Sequence, residues 1–306
     1  MRSPLNKRLF RELRGEFGKY LVIFILMTLT IGMVSGFLVA DGSMIQAYEE
    51  SFEKYNIENG HFRTEKKMNN AQIQDIEDLG IKLYENYYVE EALTNGSTMR
   101  IFKNRDEVNK VCLMKGKMPE KPGEIGIDRM YADNNDLSVG DEIESGGYTW
   151  KITGLVALSD YSALFSNNND SMFDSVKFGV SVVCPEEFDS YKADQLNYSY
   201  AWKYNTEPKN EKAEKDISED LMEDVAKEVT LEEFVPRYTN QAIIFTGDDM
   251  GGDRSMIIVL LYIIIVIMAF VFAITTSNTI RKEANVIGTL RASGYTRGEL
   301  IRHYMA

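Results

Sequence analysis

Residue types that carry chemistry are scarce in this chain, and none is set at a catalytic or metal-binding spacing. Only two of the 306 residues are histidine, His61 and His303, and two are cysteine, Cys112 and Cys184. No His, Cys and carboxylate groups fall at metal-ligand spacing. There is no G-x-S-x-G nucleophile elbow and no G-x-x-x-x-G-K-S/T phosphate loop. Asn167 to Asp170 offers oxygens to a calcium ion but lacks the spaced ligands of a calcium loop, and reads as a plain turn. No catalytic residue, metal ligand or cofactor is therefore expected, and the chain is not read as an enzyme.

The elements that would hold any function in place are easier to see. Tyr20 to Ala40 and Ser255 to Ile280 are uncharged runs of 21 and 26 residues. At 1.5 Å per residue, 21 helical residues reach roughly 31 Å, the thickness of a bilayer's hydrocarbon core. Backbone groups in lipid must bond within their own segment, so each run reads as a transmembrane helix. Neither holds an ionisable group, which argues against an ion path through these two helices. Small residues recur every fourth position at Thr28, Gly32, Gly36 and Ala40, and again at Ala269, Ala273 and Ser277. Gly32, Gly36, Ala269 and Ala273 are the expected helix-packing residues. The run at 20–40 exceeds a signal peptide's apolar core, and Leu38-Val39-Ala40 is a poor cleavage site.

Charge is sharply partitioned. Residues 1–19 hold six basic and two acidic side chains, and residues 281–306 hold five and two. With +4 and +3 at the ends and −13 overall, residues 41–254 carry −20. Lys and Arg flank cytoplasmic ends, so both termini are expected in the cytoplasm of a bacterial cell membrane, with the acidic middle exported. An acidic exported domain argues against nucleic acid as a partner. It is large enough for one or two compact units with a core. Cys112 and Cys184 sit in apolar, strand-like contexts and are expected to be buried free thiols rather than a disulfide.

The expected organisation is a cytoplasmic amphipathic helix over 1–19, a first span over 20–40, an exported domain over 41–254, a second span over 255–280 and a cytoplasmic segment over 281–306. Ser3-Pro4 starts the first helix and Leu5, Leu9, Leu13 and Phe17 give its apolar stripe, although an ordinary basic flank fits equally. The first span is expected to continue to about Tyr55. In the middle, Tyr148 to Thr153 alternates as a strand, and Pro208 to Val229 reads as a charged, solvent-facing helix. Turns are expected at Pro119–Gly123, Ser145–Gly147 and Asn167–Asp170. Thr246 to Asp253, with Gly247, Gly251 and Gly252, reads as a flexible link. The fold class is α+β: a membrane protein with two transmembrane helices flanking an extracytoplasmic mixed α/β domain.

The tail supplies the most specific residues. From Arg281 to Ile301 it reads as a helix continuing the second span, stopping near Gly294, with Thr296-x-x-Glu299 as a capping box for a new helix. Ile287, Gly288, Leu290, Arg291, Ala292 and Gly294 match the pattern E-I-G-x-L-R-A-x-G-x-x-x-x-x-I, whose last apolar place falls on Leu300, next to Ile301. On these residues the segment resembles the loop after the second span of FtsX-like, MacB-type permeases of ABC transporters. Val286 stands where many members have Glu, and Glu283 sits one turn earlier. In the middle domain, Lys115 to Pro119, Gly123 to Asp128, Val139 to Ile143 and Trp150 to Val156 resemble, in order, pieces of that family's periplasmic core domain.

The resemblance implies a permease working with a separate cytoplasmic ABC ATPase, which binds ATP and Mg, and with a second permease copy or half. It implies an amino-terminal portion of a longer, multi-pass chain, whose exported domain is moved by nucleotide-driven closure: export, peptide resistance or mechanotransmission. The ATPase-coupling residues would be Glu283, Ile287, Gly288, Leu290, Arg291, Ala292 and Gly294. Physically, Ile287 and Leu290 suit a groove and Arg291 an acidic rim, while a basic helix on the inner-leaflet lipids is the plainer reading. The alternative is a bitopic sensor, a chemoreceptor or histidine-kinase input module, which shares the plan but usually continues in heptads. The substrate is not legible; the acidity of the middle favours a cationic ligand.

Overall fold

The computed structural model describes residues 14–305. The basic amphipathic stripe expected at Leu5, Leu9 and Leu13 lies outside the described residues. The chain forms two compact units, one from the residues through Ile45 together with those from Met250, the other Gln46–Asp249.

The first unit is built on two long helices, α1 (Phe17–Lys54) and α6 (Gln241–Lys282). Both are long and apolar enough to cross a membrane. Their large apolar side chains face outward, Met33 at 74% exposure, Phe24 at 67% and Phe270 at 66%. Nothing lies within 4 Å of a Cβ built on Gly32 or Gly36, and Ala269 and Ala273 are exposed. Among the described residues the small-residue faces are therefore open. Glu16 bonds Lys282 at 2.6 Å and Lys19 at 3.1 Å, and Lys19 donates to the Thr279 hydroxyl at 3.0 Å. These bonds tie the start of one long helix to the end of the other.

As expected, α1 runs past the apolar stretch and ends at Lys54, beside Asn56, whose φ of 49° turns the chain out of the helix. The link expected at Thr246–Asp253 is instead helical and belongs to α6. The glycines there do not break the helix. Gly247 lies against Tyr48, where a Cβ would meet the ring at 2.5 Å, and the Tyr48 hydroxyl donates to the Ile243 carbonyl at 3.0 Å. Close approach, not flexibility, accounts for that glycine.

The second unit holds two sheets. A four-stranded antiparallel sheet runs in the order β11 (Leu231–Pro236), β1 (Gly60–Thr64), β10 (Tyr198–Tyr204), β2 (Ile81–Glu85). Helices α2 (Asn70–Glu77) and α5 (Glu211–Glu228) send Ile76, Leu221 and Val225 into the same core as the strands. Thus the helix expected to be wholly solvent-facing buries one side. Its apolar residues are few and spaced three to four apart, a stripe hidden by the surrounding charge.

The seven-stranded mixed sheet runs β3 (Tyr88–Ala92), β4 (Thr98–Lys103), β9 (Phe178–Val183), β6 (Glu124–Asp128), β8 (Tyr148–Leu158), β5 (Val111–Gly116), with β7 (Glu142–Ser145) also on β8. β9 is buried along its whole length, as a strand flanked on both sides must be. Two short helices, α3 (Arg129–Asn134) and α4 (Pro185–Phe188), follow β6 and β9. The motif pieces meet at β5, β6 and β8. Glu124 accepts from the Glu120 amide at 2.9 Å and closes the turn before β6; Asp141 accepts from Ser138 at 2.8 Å and closes the turn before β7. Gly146-Gly147 closes the β7–β8 hairpin, and Asn167–Asp170 is a turn, both as expected. Cys112 and Cys184 are free; Cys184 is buried and Cys112 half-buried.

Candidate functional site

The expected coupling residues come together in one local elbow. α6 ends at Lys282, Glu283 makes a slight irregularity at φ −100°, and α7 (Ala284–Ala292) continues. The amide of Ile287 still donates to the Glu283 carbonyl at 2.9 Å, so the helical path is deflected and not cut. α7 ends on Gly294 at φ 94°. The Gly294 amide donates to the Arg291 carbonyl and the Tyr295 amide to the Leu290 carbonyl, each at 3.2 Å. This pair of bonds is a Schellman stop, and its left-handed position suits glycine.

Two residues later the next helix, α8 (Arg297–Met305), begins. The Thr296 hydroxyl accepts from the Glu299 amide at 3.3 Å, and the Glu299 carboxylate accepts from the Thr296 amide at 2.9 Å. That is a complete capping box. Those bonds hold the Glu299 carboxyl below its usual range. The Tyr304 hydroxyl donates to the Glu283 carboxylate, so the far end of α8 is tied back to the start of α7.

Within the elbow, the side chains divide by exposure. Leu300 is buried and Ile287, Leu290 and Tyr295 are half-buried. Gly288, Arg291, Ala292 and Gly294 are exposed, as is Val286 at 39%. Ile287 and Leu290 therefore already have part of their surface covered. Arg291 and Val286 are both open, and Val286 stands where the resembled pattern has Glu. Val286 and Arg291, five residues apart, thus expose one apolar and one charged side chain on different sides of α7.

A second site was not legible in the sequence. A cleft of about 600 Å³ opens in the middle domain, walled by β1 and β11 of one sheet and β3, β4 and β9 of the other. Arg100 lies in its wall with the guanidinium over the Tyr88 ring at 4.5 Å and the Phe178 ring at 5.0 Å. It bonds Glu90 at 2.7 Å, the Tyr161 hydroxyl at 2.7 Å and the Ser166 carbonyl at 2.8 Å. Burial opposes its charge, but these partners hold its pKa above the usual value. Deeper, Arg105 bonds both oxygens of Asp160, at 2.8 and 2.7 Å, and the Asn86 side chain. Glu58, 1% exposed, bonds His61 Nδ1 at 2.6 Å and Asn109 Nδ2 at 2.6 Å.

Only the Glu58-x-x-His61 spacing hinted at this cluster; Arg100 with Glu90 and Arg105 with Asp160 are brought together by strand pairing and loop closure. Among the described residues no three His, Cys, Asp or Glu side chains converge as metal ligands would.

No family model and no curated protein matches the chain. Among solved structures it is similar to the periplasmic region of MacB from Actinobacillus actinomycetemcomitans, at 11% identity and a TM-score of 0.31, covering 56% of this chain and 85% of that one. It is also similar to the extracellular domain of the ABC-type transporter YknZ from Gram-positive bacteria, at 11% identity and a TM-score of 0.28, covering 55% of this chain and 94% of that one.

Proposed function

We propose that this chain is the amino-terminal part of an ABC-transporter permease, in which a separate ATPase docks on the elbow formed by α7 and α8. On this reading both ends are cytoplasmic and the acidic middle domain is exported. ATP and Mg are bound by the partner, and the open Gly32–Gly36 and Ala269–Ala273 faces meet helices of a second permease copy or half, with lipid elsewhere. Closure of the ATPase would move α6 through the elbow and thereby the exported domain.

The single observation that supports this most is the elbow itself. Two short helices follow directly on an apolar helix, separated by a glycine stop and a capping box, and they carry the residues that resemble the permease pattern. A bitopic sensor would carry its second helix onward in heptads, whereas Gly294 ends it. The Glu16–Lys282 and Lys19–Thr279 bonds fit a transmission role, since they join the inner ends of both long helices.

The test is stimulated ATP turnover by the intact protein reconstituted with its ATPase. Arg291→Glu is expected to lower it by at least ~10-fold, the loss of one interface charge pair worth about 1.4 kcal/mol or more. Membrane insertion should not change, and a compensating charge reversal on the ATPase should restore turnover. Unchanged turnover would remove the docking assignment.

A further inference from the structure

The Glu58–His61 pair has no part in the coupling elbow, yet it sits where the two sheets of the middle domain are joined. Glu58 lies between the end of α1 and β1, and His61 is on β1 of the four-stranded sheet. Asn109 belongs to the loop that leads into β5 of the seven-stranded sheet. Glu58 connects them three ways: one carboxylate oxygen to His61 Nδ1, the other to Asn109 Nδ2, and its own amide to Asn109 Oδ1 at 2.9 Å. A single buried carboxylate thus ties one sheet to the other.

His61 is the only histidine in the middle domain. Its side chain is 23% exposed and lines the cleft, and Nε2 has no hydrogen-bond partner among the described residues. The ring therefore has one nitrogen fixed on Glu58 and the other open to water. We propose that the Glu58–His61 pair is a proton sensor: protonated, it clamps the two sheets together across the cleft, and deprotonated, it lets the cleft widen.

The charges around the ring favour the clamped state. Glu58 faces it from the same segment, Glu233 from β11 and Asp160 from the loop after β8. The nearby cations are committed elsewhere. Arg105 is paired with Asp160, Arg63 of β1 with Glu232, and Arg100 with Glu90. Lys203 of β10 pairs with Glu207 and donates to the Ile57 carbonyl. Tyr88 lines the same cleft and is held neutral, since burial raises its pKa. Burial of His61 opposes its charge, but Glu58 at 2.6 Å outweighs that, so its pKa lies above the ordinary 6.5. Burial likewise pushes the Glu58 carboxyl up, and His61 with Asn109 brings it below its usual range.

The sign follows. A histidine whose pKa is raised by folding contributes stability that is complete below its unfolded value and is lost as pH rises through the folded value. When His61 releases its Nε2 proton to water in the cleft, Nδ1–H still bonds Glu58. The carboxylate, however, becomes a buried anion without its cation, an arrangement relieved by admitting water. The cleft is the route for that water. The sensor does not depend on the docking proposal, and fails or stands separately from it.

The test uses the full chain in lipid nanodiscs. The His61 ring is followed by nuclear magnetic resonance in a His303→Gln background, which leaves one histidine. The sheet-to-sheet distance is followed by paramagnetic resonance between labels at Lys82→Cys on β2 and Ala92→Cys on β3, both exposed strand positions, in a chain whose two native cysteines are replaced by serine. The expected result is a His61 midpoint above 6.5, and a distance that lengthens as pH passes that midpoint. In His61→Gln the distance should be independent of pH over the same range. In Glu58→Gln the midpoint should fall to 6.5 or below. A distance in the unmutated pair that does not change with pH would overturn the proposal, whatever the variants do. So would a change that persists in His61→Gln.

Discussion

The middle domain and the pair of long helices solve opposite problems. The domain closes on itself: Trp202, Tyr200 and Phe62 are buried to 1% or less, and its deep charges find partners, as Arg105 does in Asp160. The helices turn their apolar side chains outward and leave small-residue faces open. A water-soluble core gains by hiding apolar surface, whereas lipid offers no such gain and helices there associate by fit. The domain thus packs on itself, whereas the helices present apolar side chains outward among the described residues.

The strongest way to break this contrast is to remove Trp202. It is fully buried, stacked on Phe234 at 4.8 Å and beside Phe62. Trp202→Ala should destabilise the middle domain by about 3–5 kcal/mol, seen as a lower urea midpoint, with both helices still inserted. Phe24→Ala in α1 should change the domain's stability by no more than about 0.5 kcal/mol, leaving that midpoint nearly unmoved. Equal effects would abolish the distinction between the regions.

A smaller effect sharpens the account of the domain's buried charges. Asp128 caps α3, accepting from the Met130 amide at 2.7 Å, and burial pushes its pKa up to about 6. A carboxyl raised in the folded state binds protons more tightly there, so stability falls as pH rises through about 4 to 6. Asp128→Asn keeps an acceptor for the cap and removes the buried charge. It should stabilise the domain by roughly 1–3 kcal/mol at pH 7.5 and hardly at all at pH 4. Equilibrium unfolding at the two pH values checks this.

The smallest effect concerns the elbow, whose order is local. Gly294→Ala places a Cβ in the left-handed region at about 1–2 kcal/mol. It should speed hydrogen exchange at the end of α7 and leave the middle domain untouched. Exchange unchanged at Tyr295 would mean that the stop is not held by Gly294.

How far the sequence could be read follows the same division. The long helices and the elbow depend on neighbours a few residues apart, such as Gly294 with Arg291 or Thr296 with Glu299, so their pattern shows directly. The glycine-rich stretch before Met256 differs from its expectation as a link because Gly247 packs on Tyr48, a residue remote in the chain. The polar cleft escaped for the same reason. Arg100 becomes significant only when β3 sets Glu90 across from it and the loop after β8 brings Tyr161. Nothing in the spacing of those residues signals their meeting.

On the proposed function, the exposed side chains of α7 receive an ATPase. The most direct measurement places a photo-reactive side chain at Val286, in the intact protein in its own membrane, and identifies what is captured. The expected result is a cytoplasmic ATPase with a phosphate loop, captured from Val286 and not from the same group placed at Met172 in the middle domain. Capture of lipid alone from Val286, with no ATPase, would contradict it.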